Sequence, residues 1–156
     1  MNENNTTLRF EYYLVNNDEE VDLYKEDTST LDGEYHIFLH GTSIRLGYIE
    51  YINGNFNVGN IGYEILSKYR GHNYAYKSAI LLFKYLYIHG VSSTMITAYD
   101  SNIPSIRTME KLTEKEGIDY KIVQDNTFRK SDLIRFEYIF NEKLLGNEIN
   151  LLKKVY

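Results

Sequence analysis

Apolar residues recur at every second position in the first part of the chain, and this period is typical of β-strands. The pattern predicts a first strand over residues 8–15. Residues 16–30 are polar and acidic, and the sequence predicts only a weak helical turn around 19–24 there. Leu31-Asp32-Gly33 then reads as a turn, because Asp and Gly favour tight bends.

A strand meander is the next predicted unit. Its three strands cover residues 34–40, 43–52 and 57–66. Asn53-Gly54 separates the last two, and this dipeptide suits the two positive-φ positions of a type I′ hairpin turn. Residues 34–66 are therefore expected to form an antiparallel meander.

The apolar period then changes to that of a helix. Apolar side chains recur at Ala75, Ala79, Leu82, Phe83 and Leu86. This spacing predicts a helix over 74–89, which ends before Gly90. A second helix is predicted over 102–114, and short strands are predicted over 93–98, 119–124 and 133–140.

This order of elements predicts an α/β (α+β) fold in a single domain over residues 1–156. The crossover through the first helix makes strands 57–66 and 93–98 a central parallel pair within a mixed, mostly antiparallel twisted sheet. Helices are expected on both faces, with the core over about 34–140. The tail, 141–156, reads as an amphipathic helix that packs on its own sheet or across a homodimer.

Composition removes several classes of function. The chain has no cysteine, which excludes disulfides, thiolate metal sites and thiol nucleophiles. Its formal charge of −5 disfavours nucleic-acid partners. The histidines are scattered without metal-ligand spacing, so no metal is expected. No segment is apolar and long enough to span a membrane, and the polar N-terminus predicts a cytoplasmic protein.

The stretch between the meander and the long helix carries the chemistry. It reads Tyr69-Arg70-Gly71-His72-Asn73-Tyr74-Ala75. The first amides of a helix have no intrahelical acceptor, and with the helix dipole they attract a phosphate. Gly71 permits a sharp bend and Asn73 tolerates positive φ. An ordinary strand-to-helix turn is the alternative interpretation.

Two blocks of sequence resemble the GCN5-related N-acetyltransferase (GNAT) superfamily. Arg70 and Ala75 match the first and last positions of that family's Gln/Arg-x-x-Gly-x-Gly/Ala loop, whereas Asn73 replaces its middle glycine. The second block follows the family's Asn-x-x-Ala/Ser-x-x-x-x-Glu-Lys pattern. It matches at Asn102, Ser105, Glu110 and Lys111.

The resemblance implies an acetyl-CoA site between the two parallel strands. The pantetheine arm would pair near Ile65 and Leu66, and Asn102 and Ser105 would lie beside it. The pyrophosphate would bind at the loop, whose residues are Arg70, Gly71, His72, Asn73, Tyr74 and Ala75.

The implied function is acetyl-CoA-dependent N-acetyltransferase activity, with direct transfer to a primary amine of a small molecule or a protein N-terminus. Glu64 is the candidate base. Met109 stands where many relatives carry a tyrosine that donates a proton. Tyr99 is the candidate acid in its place, and another tyrosine or water is the alternative proton source. The alternative is a non-catalytic acyl-CoA sensor or interaction module. The region before residue 32 is short for this family, which predicts a reduced lid over the acceptor side.

Overall fold

The computed structural model describes residues 12–54, 58–123 and 132–146, and these residues contain one sheet and two α-helices. The eight strands are β1 (Tyr13–Asn17), β2 (Val21–Lys25), β3 (Gly33–Leu39), β4 (Arg45–Ile52), β5 (Gly59–Ile65), β6 (Ser93–Tyr99), β7 (Ile118–Ile122) and β8 (Leu133–Phe140). The helices are α1 (Tyr74–Ile88) and α2 (Ile103–Leu112). The strand order is β1-β2-β3-β4-β5-β6-β8-β7.

The antiparallel meander is confirmed as β3, β4 and β5, but the helical turn predicted around 19–24 is wrong. Val21 and Leu23 belong to strand β2 and are fully buried. This strand pairs with β1 on one side and β3 on the other. Paired backbone on both edges outweighs the weak local helical preference of a short polar stretch. Of the predicted first strand, residues 8–11 lie outside the described residues.

The central parallel pair is also confirmed. β5 and β6 run in the same direction, with Gly59 beside Thr94 and Ile61 beside Ile96. The other strand pairs in the sheet are antiparallel. Helix α1 makes the crossover between the parallel strands, as its sequence position requires.

Both helices lie on one face of the sheet rather than on its two faces. Tyr138 on β8 shows this, because its ring centroid lies 5.5 Å from that of Phe83 on α1 and its hydroxyl donates to the Met109 carbonyl on α2. The physical reason is handedness. The two crossovers step the same way across the sheet, and right-handed crossovers then put their helices on the same side.

The tail forms a 3₁₀ turn, Glu142–Leu145, where the sequence predicted the start of an amphipathic helix. Leu144 and Leu145 are buried, and Leu144 belongs to the main hydrophobic core. Residues 147–156 of the predicted helix lie outside the described residues. Within the part of the chain that the structure describes, neither helix is long and apolar enough to cross a membrane.

Candidate active site

The parallel strands β5 and β6 separate halfway along their length. Their pairing ends at Ile61 and Ile96, although β4 stays paired with β5 as far as Ile65. The Leu66 amide donates to the Leu46 carbonyl at 2.8 Å on the β4 side. Because the two groups of a peptide unit point in opposite directions, the Ile65 carbonyl faces the gap. The second half of β5 therefore presents an open edge.

The loop after β5 has the backbone geometry that its residue types favour. Gly71 has φ +90°, and Asn73, the N-cap of α1, has φ 64° and ψ 22°. The first intrahelical hydrogen bond runs from the Lys77 amide to the Asn73 carbonyl at 3.0 Å. The amides before Lys77 therefore open the helix without intrahelical acceptors. Such donors, aligned with the helix dipole, are suited to an anion.

Arg70 ties this loop to the open strand edge. Its Nε donates to the Ile65 carbonyl at 3.0 Å, across the 3₁₀ turn Ser67–Tyr69. The guanidinium is thus held at the junction of strand, loop and gap. A charged donor fixed in this way stabilises the loop and adds positive charge beside the helix start.

One cavity of about 730 Å³ collects most of the predicted site residues. Nine of them line it: Glu64, Ile65, Arg70, Gly71, Asn73, Tyr74, Ala75, Asn102 and Ser105. The remaining wall consists of Tyr63, Tyr69, Pro104, Arg107, Thr108 and Lys111. The loop, the strand end and the start of α2 therefore share one space.

Three predicted residues do not line this cavity. The Leu66 amide and carbonyl are both used inside the protein, by the Leu46 carbonyl and the Tyr69 amide. The His72 ring packs beside Tyr74, with 5.4 Å between centroids. Tyr99 is half-exposed at the end of β6.

Tyr63 and Glu64 point to opposite faces of β5, as strand alternation requires. The Tyr63 hydroxyl lies 2.8 Å from Oγ of Ser105 on α2, and burial raises the pKa of this phenol. The pairing of β4 with β5 is regular, so no bulge changes the direction of Glu64. Its Oε2 accepts a hydrogen bond from the Tyr48 hydroxyl at 3.3 Å on the face away from the helices.

Asn102 caps the start of α2, whereas Met109 lies in its buried part. The Asn102 side-chain oxygen accepts from the Ser105 amide at 3.3 Å and caps the helix at the cavity wall. Met109 is fully buried on the core side. In this chain, the position where many relatives carry a proton-donating tyrosine therefore faces the core.

Three of the four charged residues in the cavity wall are basic. Arg70 comes from the loop, whereas Arg107 and Lys111 lie one turn apart on α2. The Lys111 ammonium lies 4.4 Å from the ring centroid of Tyr76, a cation–π contact between the two helices. Glu64 is the only carboxylate among the described lining residues. The i, i+4 spacing of Arg107 and Lys111 in the sequence could have predicted this pair, because residues four apart lie on the same face of a helix.

Comparisons with known proteins agree with the family resemblance seen in the sequence. Residues 2–113 match the family model described as an acetyltransferase (GNAT) domain. None of the curated proteins matches the sequence.

Several crystal structures share the fold. A GNAT-family acetyltransferase from Bacillus anthracis is 23% identical with a TM-score of 0.51, over 68% of this chain and 63% of that one. The ribosomal-protein-S5-alanine acetyltransferase from Vibrio fischeri is 20% identical with a TM-score of 0.54, over 72% of this chain and 63% of that one.

A mutant spermidine N-acetyltransferase from Vibrio cholerae is 13% identical with a TM-score of 0.54, over 80% of this chain and 82% of that one. This chain thus spans under two thirds of the first two proteins and most of the third. The family match covers more than half of the sequence and includes the strand end, the loop and both helices. The chain belongs to the GNAT family of acetyltransferases.

Proposed function

We propose that this protein transfers the acetyl group of acetyl-CoA directly to a primary amine, either of a small molecule or of a protein N-terminus. The observation that carries the proposal is the gap where β5 and β6 separate, with an unpaired strand edge on one side and the start of α1 at its end. The two acceptor classes correspond to the names of two similar structures, a ribosomal-protein acetyltransferase and a spermidine acetyltransferase.

In this proposal the pyrophosphate of acetyl-CoA binds the loop from Arg70 to Ala75. Two observations support this: helix amides without intrahelical acceptors, and the cluster of Arg70, Arg107 and Lys111 in one cavity. The pantetheine amides would add to the open β5 edge at Ile65, in the manner of an extra strand. Leu66 would contribute its exposed side chain, because its own backbone groups are bonded elsewhere.

Asn102 and Ser105 would line the pantetheine arm. The Asn102 oxygen caps α2, so its side-chain NH₂ is the group that would donate to the arm. The Ser105 hydroxyl, which forms a hydrogen bond with the Tyr63 hydroxyl, would lie beside it. His72 packs beside Tyr74 and would shield the loop from solvent.

Transfer requires two proton movements. The neutral amine attacks the thioester carbon, so a C–N bond forms and the C–S bond breaks. A base removes the amine proton, and an acid protonates the thiolate. Glu64 is the proposed base, because it lies at the open end of β5 and is the only residue with a carboxylate among the described lining residues.

Tyr99 is the proposed acid on the other side of the gap. Ile96 and Ala98 are buried on the helix side of β6, so alternation directs Tyr99 to the face that Glu64 occupies. The Tyr99 hydroxyl would protonate the thiolate from that face. Tyr63, by contrast, is engaged with Ser105 on the helix side.

Two measurements test the proposal. Acetyl-CoA and CoA are expected to raise the melting temperature, because both bind only the folded state. Release of CoA is then followed over a panel of primary amines. Glu64→Gln is expected to lower kcat by about 10²-fold or more, the usual contribution of a general base, whereas the exposed Glu116→Gln retains activity. Unchanged thermal unfolding in millimolar acetyl-CoA would contradict the proposal.

The second candidate is a non-catalytic acyl-CoA-binding module. It is favoured by Met109, which is fully buried and leaves that position of α2 without a proton donor in the cavity. This alternative predicts that CoA stabilises the protein while no amine releases CoA from acetyl-CoA. Turnover with any amine at ordinary rates excludes it.

A further inference from the structure

Three glutamates from neighbouring strands share the sheet face that lies away from the helices. Glu34 on β3 is directly opposite Glu50 on β4, and Tyr48 on β4 is directly opposite Glu64 on β5. Desolvation and the negative charges of Glu64, Glu34 and Glu50 raise the pKa of Tyr48, which lies among them. We call this surface, formed by Glu34, Glu50 and Glu64, the acidic face.

Among the described residues, the acidic face is only partly neutralised. Arg45 reaches Glu34, with 3.0 Å between its Nη2 and Oε1 of Glu34. Among the described residues, none forms a hydrogen bond or ion pair with Glu50. Like charges directly opposite each other destabilise a strand pair. The Arg45 guanidinium offsets this repulsion at Glu34, whereas Glu50 has no cationic partner among the described residues.

His36 supplies an independent indication of a missing ligand. It lies on the same face, directly opposite Tyr48, and only 7% of its surface is exposed. Its Nδ1 has no hydrogen-bond partner and is directed at the acidic face, 3.9 Å from Oε1 of Glu34. A buried polar atom without a partner is costly, and the N–H of an amine ligand would satisfy it.

The spacing of the carboxylates favours an extended cation over a single ion. Among the residues described, no group of three or more acidic or histidine side chains is close enough to hold a metal ion. Neighbouring strands lie about 4.8 Å apart, so Glu50 and Glu34 are roughly 5 and 10 Å from the Glu64 strand. Separations of about 5 to 10 Å between carboxylates suit a molecule with two positive charges on a short aliphatic chain.

The face is also accessible from solvent. Glu34 and Glu64 are exposed, and Glu50 is partly exposed. Glu64 belongs both to the acidic face and to the cavity wall, which joins this surface to the proposed reaction site.

We propose that the acidic face binds the second positive charge of a diamine or polyamine acceptor, while its first amine reacts beside Glu64. This inference rests on the proposed acetyltransferase function and narrows its acceptor to cationic amines with two or more charges. Glu50 would bind the distal ammonium directly, and His36 and Glu34 would lie at the far end of the acceptor.

The test compares 1,4-diaminobutane with butylamine, which has one charge fewer at the same chain length. The full chain is expected to show a kcat/KM at least ten-fold higher for the diamine. Glu50→Gln is expected to reduce this preference at least five-fold through the KM of the diamine, with butylamine unaffected. Glu116→Gln, which removes an exposed charge beyond α2, is the matched control and is expected to keep the preference. Equal use of the two amines, or an equal loss for both in Glu50→Gln, would overturn the inference.

A binding measurement separates this inference from the proposed function. Calorimetry of 1,4-diaminobutane with the CoA-saturated protein needs no turnover. If no amine is acetylated but the diamine binds and Glu50→Gln abolishes binding, the acetyltransferase proposal fails and the cation site stands. If the diamine does not bind and is not preferred as a substrate, the cation site is wrong even when monoamines are acetylated.

Discussion

Gly47 on β4 lies so close to the Glu64 carbonyl on β5 that a Cβ at this position would overlap it. The two strands therefore approach each other closely at the end of β5, beyond the point where its pairing with β6 stops. A residue without a side chain is required on β4 so that the end of β5 can hold this position.

Gly47→Ala is accordingly expected to displace the end of β5, lowering both the melting temperature and the affinity for CoA. Overlap with main chain cannot be relieved by rotating a side chain, so the strand itself must move. Gly62→Ala is the matched control, because a Cβ there meets open space. Differential scanning calorimetry and titration with CoA measure both effects. Equal behaviour of the two variants would show that the close approach is unimportant.

Asn73 is the second position where backbone geometry determines the site. Its φ of 64° costs a β-branched residue about 1–2 kcal/mol, whereas glycine adopts it freely. We expect Asn73→Val to lower the free energy of unfolding by this amount and to weaken CoA binding. Asn73→Gly, which restores the glycine of the family pattern, should keep both. Urea denaturation measures the free energy of unfolding, and calorimetry measures the affinity for CoA. Tight CoA binding by Asn73→Val would contradict the proposed loop geometry.

Local sequence signals predicted those parts of the molecule that local forces determine. The type I′ turn predicted at Asn53-Gly54 is wrong, because Asn53 does not have positive φ, although the pair does mark the end of β4. Helical spacing identified α1, and the residue type of Asn73 anticipated its positive φ. These features depend on a few consecutive residues, so they can be read directly from the chain.

The features that escaped prediction depend on contacts distant in sequence. Strand β2 forms because β1 and β3 pair with it. The acidic face needs the register that sets Glu34 opposite Glu50, and neither hydropathy nor spacing gives that register. The basic wall likewise needs α2 to lie beside the loop, which is a property of the packed sheet.

His36 makes stability depend on pH. Desolvation is the main cause that lowers its pKa below the ordinary value of 6.5, and the Arg45 charge adds to it. The unfolded chain therefore binds a proton before the folded protein does, so stability is lost as the pH falls below about 6.5. We expect His36→Gln to show a smaller loss of unfolding free energy between pH 7 and pH 5 than the unmodified protein. Urea titrations at both pH values measure this, with the exposed His89→Gln as control. An identical pH dependence in His36→Gln would show that His36 is not the group responsible.

Leu144 tests whether the C-terminal tail packs on its own sheet or across a homodimer. It is 2% exposed and belongs to the hydrophobic core of its own chain, next to the turn at Gly117. Truncating a buried leucine to alanine typically costs about 2–5 kcal/mol, so Leu144→Ala is expected to lower the free energy of unfolding by this amount. If the tail stabilises a single chain, light scattering will give the same molecular mass for Leu144→Ala and the unmodified protein at concentrations where both are folded. Lys143→Ala is the control, because Lys143 is an exposed residue of the same 3₁₀ turn. A variant with unchanged unfolding energy and a halved mass would instead assign Leu144 to a homodimer contact.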